Sequence, residues 1–263
     1  MSDSLLLVRD EGSARILSFN RPEKRNALSL ELLEELDAAI EHAATTKEIR
    51  SLIITGEGAS FSAGIDLMSL AAAGMNARHA DFRRLAQRLQ ELHNKLARLE
   101  KPVLAVLHGH CLGMALEMAL ACDFRIAEVG TDIHIGEVRV GLIPDVGGST
   151  RLVRTIGLPR AKELIMTGKN IDADTALAWG LVNELVDSGQ GLARALQWHA
   201  ELEKGAPLAV GLSKLVLERA YDLDIHTSQQ IEGLAQSTLF GTEDFREGVM
   251  ARMEKRDPKW KGE

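Results

Sequence analysis

Cysteine is scarce in this chain of 263 residues: there are two, Cys111 and Cys122, and they form neither a CxxC pair nor a disulfide framework. That excludes a stapled secreted scaffold and leaves both as small buried hydrophobes in a reducing compartment. A basic surplus is missing too, because 31 Lys and Arg stand against 38 Asp and Glu, a net charge of −7. Such a chain lacks the field that a phosphate backbone requires, so nucleic acid is not an expected partner. No low-complexity tract occurs, and 45% apolar with 26% charged residues is the composition of a globular protein rather than a disordered one. The longest apolar run, 103–122, has the length of a bilayer span, but it contains His108, His110 and Glu117 and is divided by Gly109 and Gly113. It reads as strand, turn and buried helix, with no membrane partner. The N-terminus, MSDSLLLVRDEGS, carries charges where a secretory signal has its apolar core, which predicts a cytoplasmic location.

What is present alternates. Residues 5–9 and 15–19 flank Gly12 as a hairpin, and Ser29 is placed to cap a helix with Leu32, Leu33, Leu36, Ala39 and Ile40 at helical spacing. Residues 51–55 are a short apolar run of the kind found in buried parallel strands. The spacing of Phe82, Leu85, Leu89, Leu92 and Leu96 predicts a helix over 76–99. Strand 102–107, helix 113–121 and strand 123–127 follow, so the fold class is α/β with parallel pairing. From Pro159 the chain reads as largely helical, and the segments starting at Ala193, Leu208 and Ser228 have no strands between them. This change of texture divides the chain into an α/β core, 1–195, and a C-terminal helical region, 196–263.

Several motifs carry less chemistry than their outlines promise. Gly56-Glu-Gly58 begins like a dinucleotide fingerprint, but Phe61 stands where the third glycine must be. The SFSAG run around Ser62 misses the GxSxG nucleophile elbow by Ser60. His108 and His110 flank a glycine with no carboxylate or thiol cluster at ligand spacing, so they read as turn and core residues and no metal is expected. Glu117 resists a bland reading. A helix as apolar as 113–121 is expected to be buried, and an ionised carboxylate there is costly unless it is compensated or its chemistry is used. The helix entry at Gly113 leaves the Met114 N–H as an orphan donor, and Gly64 permits a second backbone donor to approach. Glu137 alone reads as a solvated loop carboxylate, and Asp145 as a cap for a helix starting near Gly148.

Taken together, five ordered motifs resemble those of the crotonase superfamily of enoyl-CoA hydratases and isomerases, over nearly the whole chain. They are Asn20-Arg-Pro-Glu-Lys-Arg-Asn26-Ala-Leu, Phe61-Ser-Ala-Gly64-Ile-Asp66-Leu, the stretch from Lys101 through Gly109 and Glu117 to Asp123, the stretch from Gly136-Glu137 through Gly141 to Arg151-Leu, and Thr242-Glu-Asp-Phe-Arg-Glu-Gly. The resemblance implies a core of repeated ββα units with a C-terminal helical trimerisation region, giving a homotrimer or a dimer of trimers. It places the catalytic carboxylates on Glu117 and Glu137 and the oxyanion-hole N–H groups on Ile65 and Met114. Lys24, Arg25, Ala27, Ala63, Gly64, Asp66, Leu67 and Gly113, with Lys255 from a neighbouring subunit, become the substrate and CoA contacts. Met114 replaces part of a glycine-rich run, which narrows the pocket, and Met68 stands where some members have a lysine.

The activity so implied is addition of water across the 2,3 double bond of an enoyl-CoA, with CoA as part of the substrate and no further cofactor. Two alternatives stay open: an enoyl-CoA or dienoyl-CoA isomerase using Glu137 and Asp145, and a non-catalytic acyl-CoA-binding protein.

Overall fold

The computed structural model describes residues 4–74 and 79–263. β1 (Leu6–Glu11) and β2 (Ala14–Phe19) form the expected hairpin. α1 (Leu30–Thr45) follows, with the Ser29 side chain accepting from the Leu32 N–H. β3 (Ser51–Gly56), α2 (Leu67–Gly74), α3 (His79–Arg98), β4 (Val103–Leu107), β5 (His110–Leu112), α4 (Met114–Ala119), β6 (Phe124–Glu128) and β7 (Asp132–His134) come next. A 3₁₀ turn, Glu137–Val140, leads to α5 (Gly148–Thr167), β8 (Asn170–Asp172), α6 (Ala173–Trp179) and β9 (Glu184–Val186). The chain then runs through α7 (Gly191–Leu202), α8 (Pro207–Ala220), α9 (Ile225–Phe240) and α10 (Glu243–Glu254).

The larger sheet has the order β1-β2-β3-β4-β6-β9, parallel throughout except for the β1–β2 pair. Side-chain alternation sends Leu17, Leu52, Ile54, Val103 and Ala105 to one face, where they join α1, α3 and α4 in the main core. Ile16, Ile53, Leu104 and Val106 point the other way and pack under α7 through Leu192, Ala195 and Leu196. Burial on both faces is why β3 and β4 read as continuous apolar runs, and each such side chain contributes about 1.5–3 kcal/mol. A second sheet, β5-β7-β8, is not anticipated by the sequence: β5 lies where a turn is expected and β8 in the stretch expected to be largely helical.

The boundaries differ from expectation in several places. Helix 76–99 corresponds to α3, which begins at His79; residues 76–78 lie outside the described residues. Past Pro159 the chain still contributes β8 and β9, each three residues long and too short to show a period. α5 is broken at Gly157, with φ 78° and ψ 159°, and Pro159 restarts it where a missing N–H is harmless. The proposed division at 195/196 falls inside α7, whose apolar side belongs to the sheet. Among the described residues no helix is long and apolar enough to cross a membrane.

Candidate active site

Two loops meet above the sheet. Ser62 pairs with Cys111, its N–H donating to the His110 carbonyl at 2.9 Å. Leu28 pairs with Ile65: the Leu28 N–H donates to Gly64 O at 2.8 Å and the Asp66 N–H to Leu28 O at 2.9 Å. In that ladder the N–H of Ile65 faces away from residue 28. Gly64 adopts φ +84°, and a Cβ there would stand 2.4 Å from the Leu112 carbonyl and 3.4 Å from the Met114 nitrogen. The peptide carrying the Ile65 N–H therefore lies against the start of α4, where Met114 holds the first orphan N–H of the helix. Neither N–H has a protein acceptor among the described residues. Gly113 ties this entry to the second sheet by donating its N–H to His134 O at 2.8 Å.

All six residues of α4 are buried, Glu117 to 2% exposure. Its Oε2 accepts from the Val146 N–H at 3.0 Å and the Gly148 N–H at 2.6 Å, so one oxygen is fixed at the N-terminus of α5. Burial pushes the Glu117 pKa up to about 7; the charges of Glu137 and Asp145 add to the rise and the two N–H bonds oppose it. Glu137 opens the 3₁₀ turn with Oε1 2.9 Å from where a Cβ on Gly113 would sit. Its Oε2 is buried without a hydrogen-bond partner, and burial raises its pKa as well. Glu137 is thus no ordinary solvated loop carboxylate.

Asp145 is half-buried, and burial is also the main cause of its raised pKa. It does not cap α5: the cap position is Gly147, with no side-chain bond. Asp145 lies two residues before that position, and the first helical N–H, that of Gly148, donates to Glu117.

The other singled-out residues separate into exposed and structural groups. Lys24 and Arg25 are exposed beside the turn Pro22–Lys24, with Ala27 half-buried behind them. Leu67 and Met68 are exposed at the start of α2. Ala63 joins the two loops, its N–H donating to Arg25 O at 2.8 Å. The Asp66 carboxylate is engaged, pairing with Arg21 at 3.0 Å and accepting from the Met68 N–H at 3.0 Å at the start of α2. Lys255 ends α10, exposed and without an ion pair among the described residues.

Two supports escaped the sequence reading as individual residues. Asn26 is buried, accepts from the Arg21 N–H at 2.8 Å, and donates to the Glu57 and Ser60 carbonyls at 2.9 and 2.6 Å. Arg21 reaches Asp66 45 positions away, and only its place in the quoted motif signalled it.

His110 bonds Ser60 Oγ through Nδ1 at 2.9 Å, a loop role. Cys111 and Cys122 are buried and free, and burial pushes the Cys122 thiol to about 12 and Cys111 also upward, so neither is a thiolate. Among the described residues no cluster of three or more His, Cys, Asp or Glu is arranged to hold a metal.

Comparison with known proteins identifies the family and the fold. The enoyl-CoA hydratase/isomerase family model matches residues 10–263. The chain is 36% identical over 252 residues to the short-chain-enoyl-CoA hydratase of Clostridium acetobutylicum, with 95% of each covered. It is 33% identical over 259 residues to the 2,3-dehydroadipyl-CoA hydratase of Escherichia coli, covering 98% of this chain and 99% of that one. Its fold is similar to the crystal structure of an enoyl-CoA hydratase from Bacillus anthracis, with a TM-score of 0.93, 34% identity, and 99% and 100% of the two chains covered.

Proposed function

The chain belongs to the enoyl-CoA hydratase/isomerase family, and from that premise we propose that it is a hydratase adding water across the 2,3 double bond of an enoyl-CoA. The observation that carries this reading is the pair of desolvated carboxyls: Glu117 is held at one oxygen by two backbone donors, and Glu137 lies over Gly113 with a buried, unpaired oxygen. Hydration builds negative charge on the thioester oxygen while water attacks the β-carbon and a proton reaches the α-carbon. The Ile65 and Met114 N–H groups receive the thioester oxygen, and the loss of one such donor typically costs about 2.7–4 kcal/mol of barrier.

Glu117, with a pKa of about 7, is a strong enough carboxylate to take a proton from water near neutral pH. Glu137, also raised by burial, carries the proton that goes to the α-carbon. CoA arrives with the substrate, bound along Lys24, Arg25, Ala27, Ala63, Gly64, Asp66, Leu67 and Gly113, and by Lys255 of a neighbouring subunit in a trimer or dimer of trimers. No further cofactor enters the scheme.

One observation favours an isomerase instead: Asp145 is half-buried, and its charge bears on both glutamates, as a second proton carrier across an allylic system requires. The deciding experiment offers purified enzyme a 2-enoyl-CoA and a 3,5-dienoyl-CoA. Loss of the enoyl absorbance with the mass of one added water is the expected result. A new conjugated-diene absorbance at unchanged mass, as the only reaction, overturns it, and binding of both esters without turnover leaves the non-catalytic acyl-CoA-binding reading.

A further inference from the structure

α3 crosses behind the turn 144–148 and presents Gln90, His93 and Asn94 to it, at the i, i+3, i+4 spacing of one helix face. The Gln90 side chain donates to Asp145 O at 2.6 Å, and His93 Nδ1 lies 2.9 Å from Val146 O. Arg151 Nη1 also donates to Val146 O, at 3.4 Å, and Arg151 Nη2 to Asn94 Oδ1 at 2.8 Å. Because a peptide group is planar, the Asp145–Val146 unit carries Gln90 on its oxygen and Glu117 on its nitrogen. The next unit carries His93 on its oxygen, and after Gly147, the softest joint of the turn, comes the Gly148 N–H that also holds Glu117. Gln90 is exposed, whereas His93 is fully buried.

We propose that His93 is a positioning residue for Glu117: through the Val146 carbonyl it fixes the turn whose two N–H groups hold the Glu117 carboxylate. The inference rests on the reading of Glu117 as the base that activates water. A carbonyl only accepts, so Nδ1 must carry the hydrogen, which leaves Nε2 with a lone pair. That Nε2 is buried without a partner, a cost that a leucine would not incur. Burial depresses the His93 pKa to about 4, so the ring stays neutral and donates its hydrogen bond without placing a cation near the base.

Three variants and one spectrum test this. Asparagine can present Nδ2 where His93 has Nδ1, glutamine presents its donor nearer the Nε2 position, and leucine presents none. His93→Leu and His93→Gln are expected to lower kcat roughly ten-fold or more with KM changed by less than about three-fold, while His93→Asn stays near wild type.

A loosened turn weakens the two bonds that favour the ionised Glu117, so the acid limb of the His93→Leu pH profile moves upward. Glu117 also feels Glu137 from the 3₁₀ turn, Asp145 from the loop before α5 and Arg151 from α5, and all three stay unchanged in these variants. Equal rates for the Asn and Gln variants, or wild-type kcat in His93→Leu, overturn the proposal. So does ¹⁵N spectroscopy of the wild-type enzyme that finds the His93 proton on Nε2 or the ring titrating near neutral pH, a measurement that stands even if the variants fail to fold. If Glu117→Gln keeps wild-type turnover, the hydratase reading itself falls; if Glu117→Gln is inactive and His93→Leu is normal, only the His93 role falls.

Discussion

At the scale of single residues, Glu117 ties the proposed chemistry to stability. Its carboxyl goes from an ordinary 4.5 to about 7 on folding, so between those values the native state binds more protons than the unfolded chain. The contribution of Glu117 to stability therefore falls as pH rises through that window and levels off above it. At 1.36 kcal/mol per unit the loss is about 3 kcal/mol. Glu117→Gln keeps an oxygen for the Val146 and Gly148 N–H groups but cannot ionise. Thermal unfolding at pH 5 and pH 8 is expected to show wild type losing stability relative to the variant at the higher pH, because the opposite contribution of His93, depressed to about 4, is common to both proteins, with hydration by the variant down by orders of magnitude. Equal pH slopes for the two proteins contradict this account.

Asp145→Ala is expected to leave hydration within a few fold, since the residue caps nothing and the start of α5 is bound by Glu117; an enoyl-CoA rate assay that found activity abolished would place Asp145 in the chemistry. Glu117 was legible as a charge in a helix too apolar to expose it. Glu137, Asp145 and His93 were not legible from local pattern, because their significance lies in neighbours contributed by other segments; Glu137 and Asp145 entered through the family resemblance, and His93 did not enter at all.

At the scale of elements, α5 offers two glycines with opposite roles. A Cβ on Gly148 would lie 2.7 Å from Glu117 Oε2 and 2.8 Å from its Cγ. Gly148→Ala is expected to push the carboxylate aside and lower hydration by on the order of a hundred-fold, with the circular dichroism unchanged. At Gly157 the nearest atom to such a Cβ is Pro159 Cδ at 3.9 Å, so only the positive φ matters. Gly157→Ala is expected to cost on the order of 1–3 kcal/mol in urea unfolding, because φ 78° with ψ 159° is a conformation essentially reserved to glycine, and to leave kcat untouched. If the two variants behave alike, the break in α5 and its catalytic end are not separable. The β1–β2 hairpin and helix α1 could be read from their periods, with Ser29 marking a start, and β3 and β4 from the length of their apolar runs. β5, β7 and β8 could not, since three residues show no alternation and their pairing partners are remote.

At the scale of the molecule, α8, α9 and α10 leave Leu217, Leu234, Phe240 and Met253 exposed. Sedimentation equilibrium is expected to find a trimer or a multiple of it at micromolar concentration, and a stable monomer would remove the neighbouring subunit's Lys255 from the CoA site. The change of texture near residue 195 marks where strands cease, but α7 still packs on the sheet, so the sequence boundary and the packing boundary differ.

The small sheet beneath the site joins residues 110–112, 132–134 and 170–172, and it anchors Gly113 through His134. Such remote pairings cost loop entropy before they repay it, whereas α1, α3 and the β1–β2 hairpin form from neighbours in sequence. In refolding from urea, far-ultraviolet ellipticity should therefore return before turnover of an enoyl-CoA. A catalytically silent species with most of its helix regained is the expected intermediate stage, visible when stopped-flow ellipticity and activity sampled at intervals are overlaid, and coincident time courses would show that the site assembles with the body of the fold.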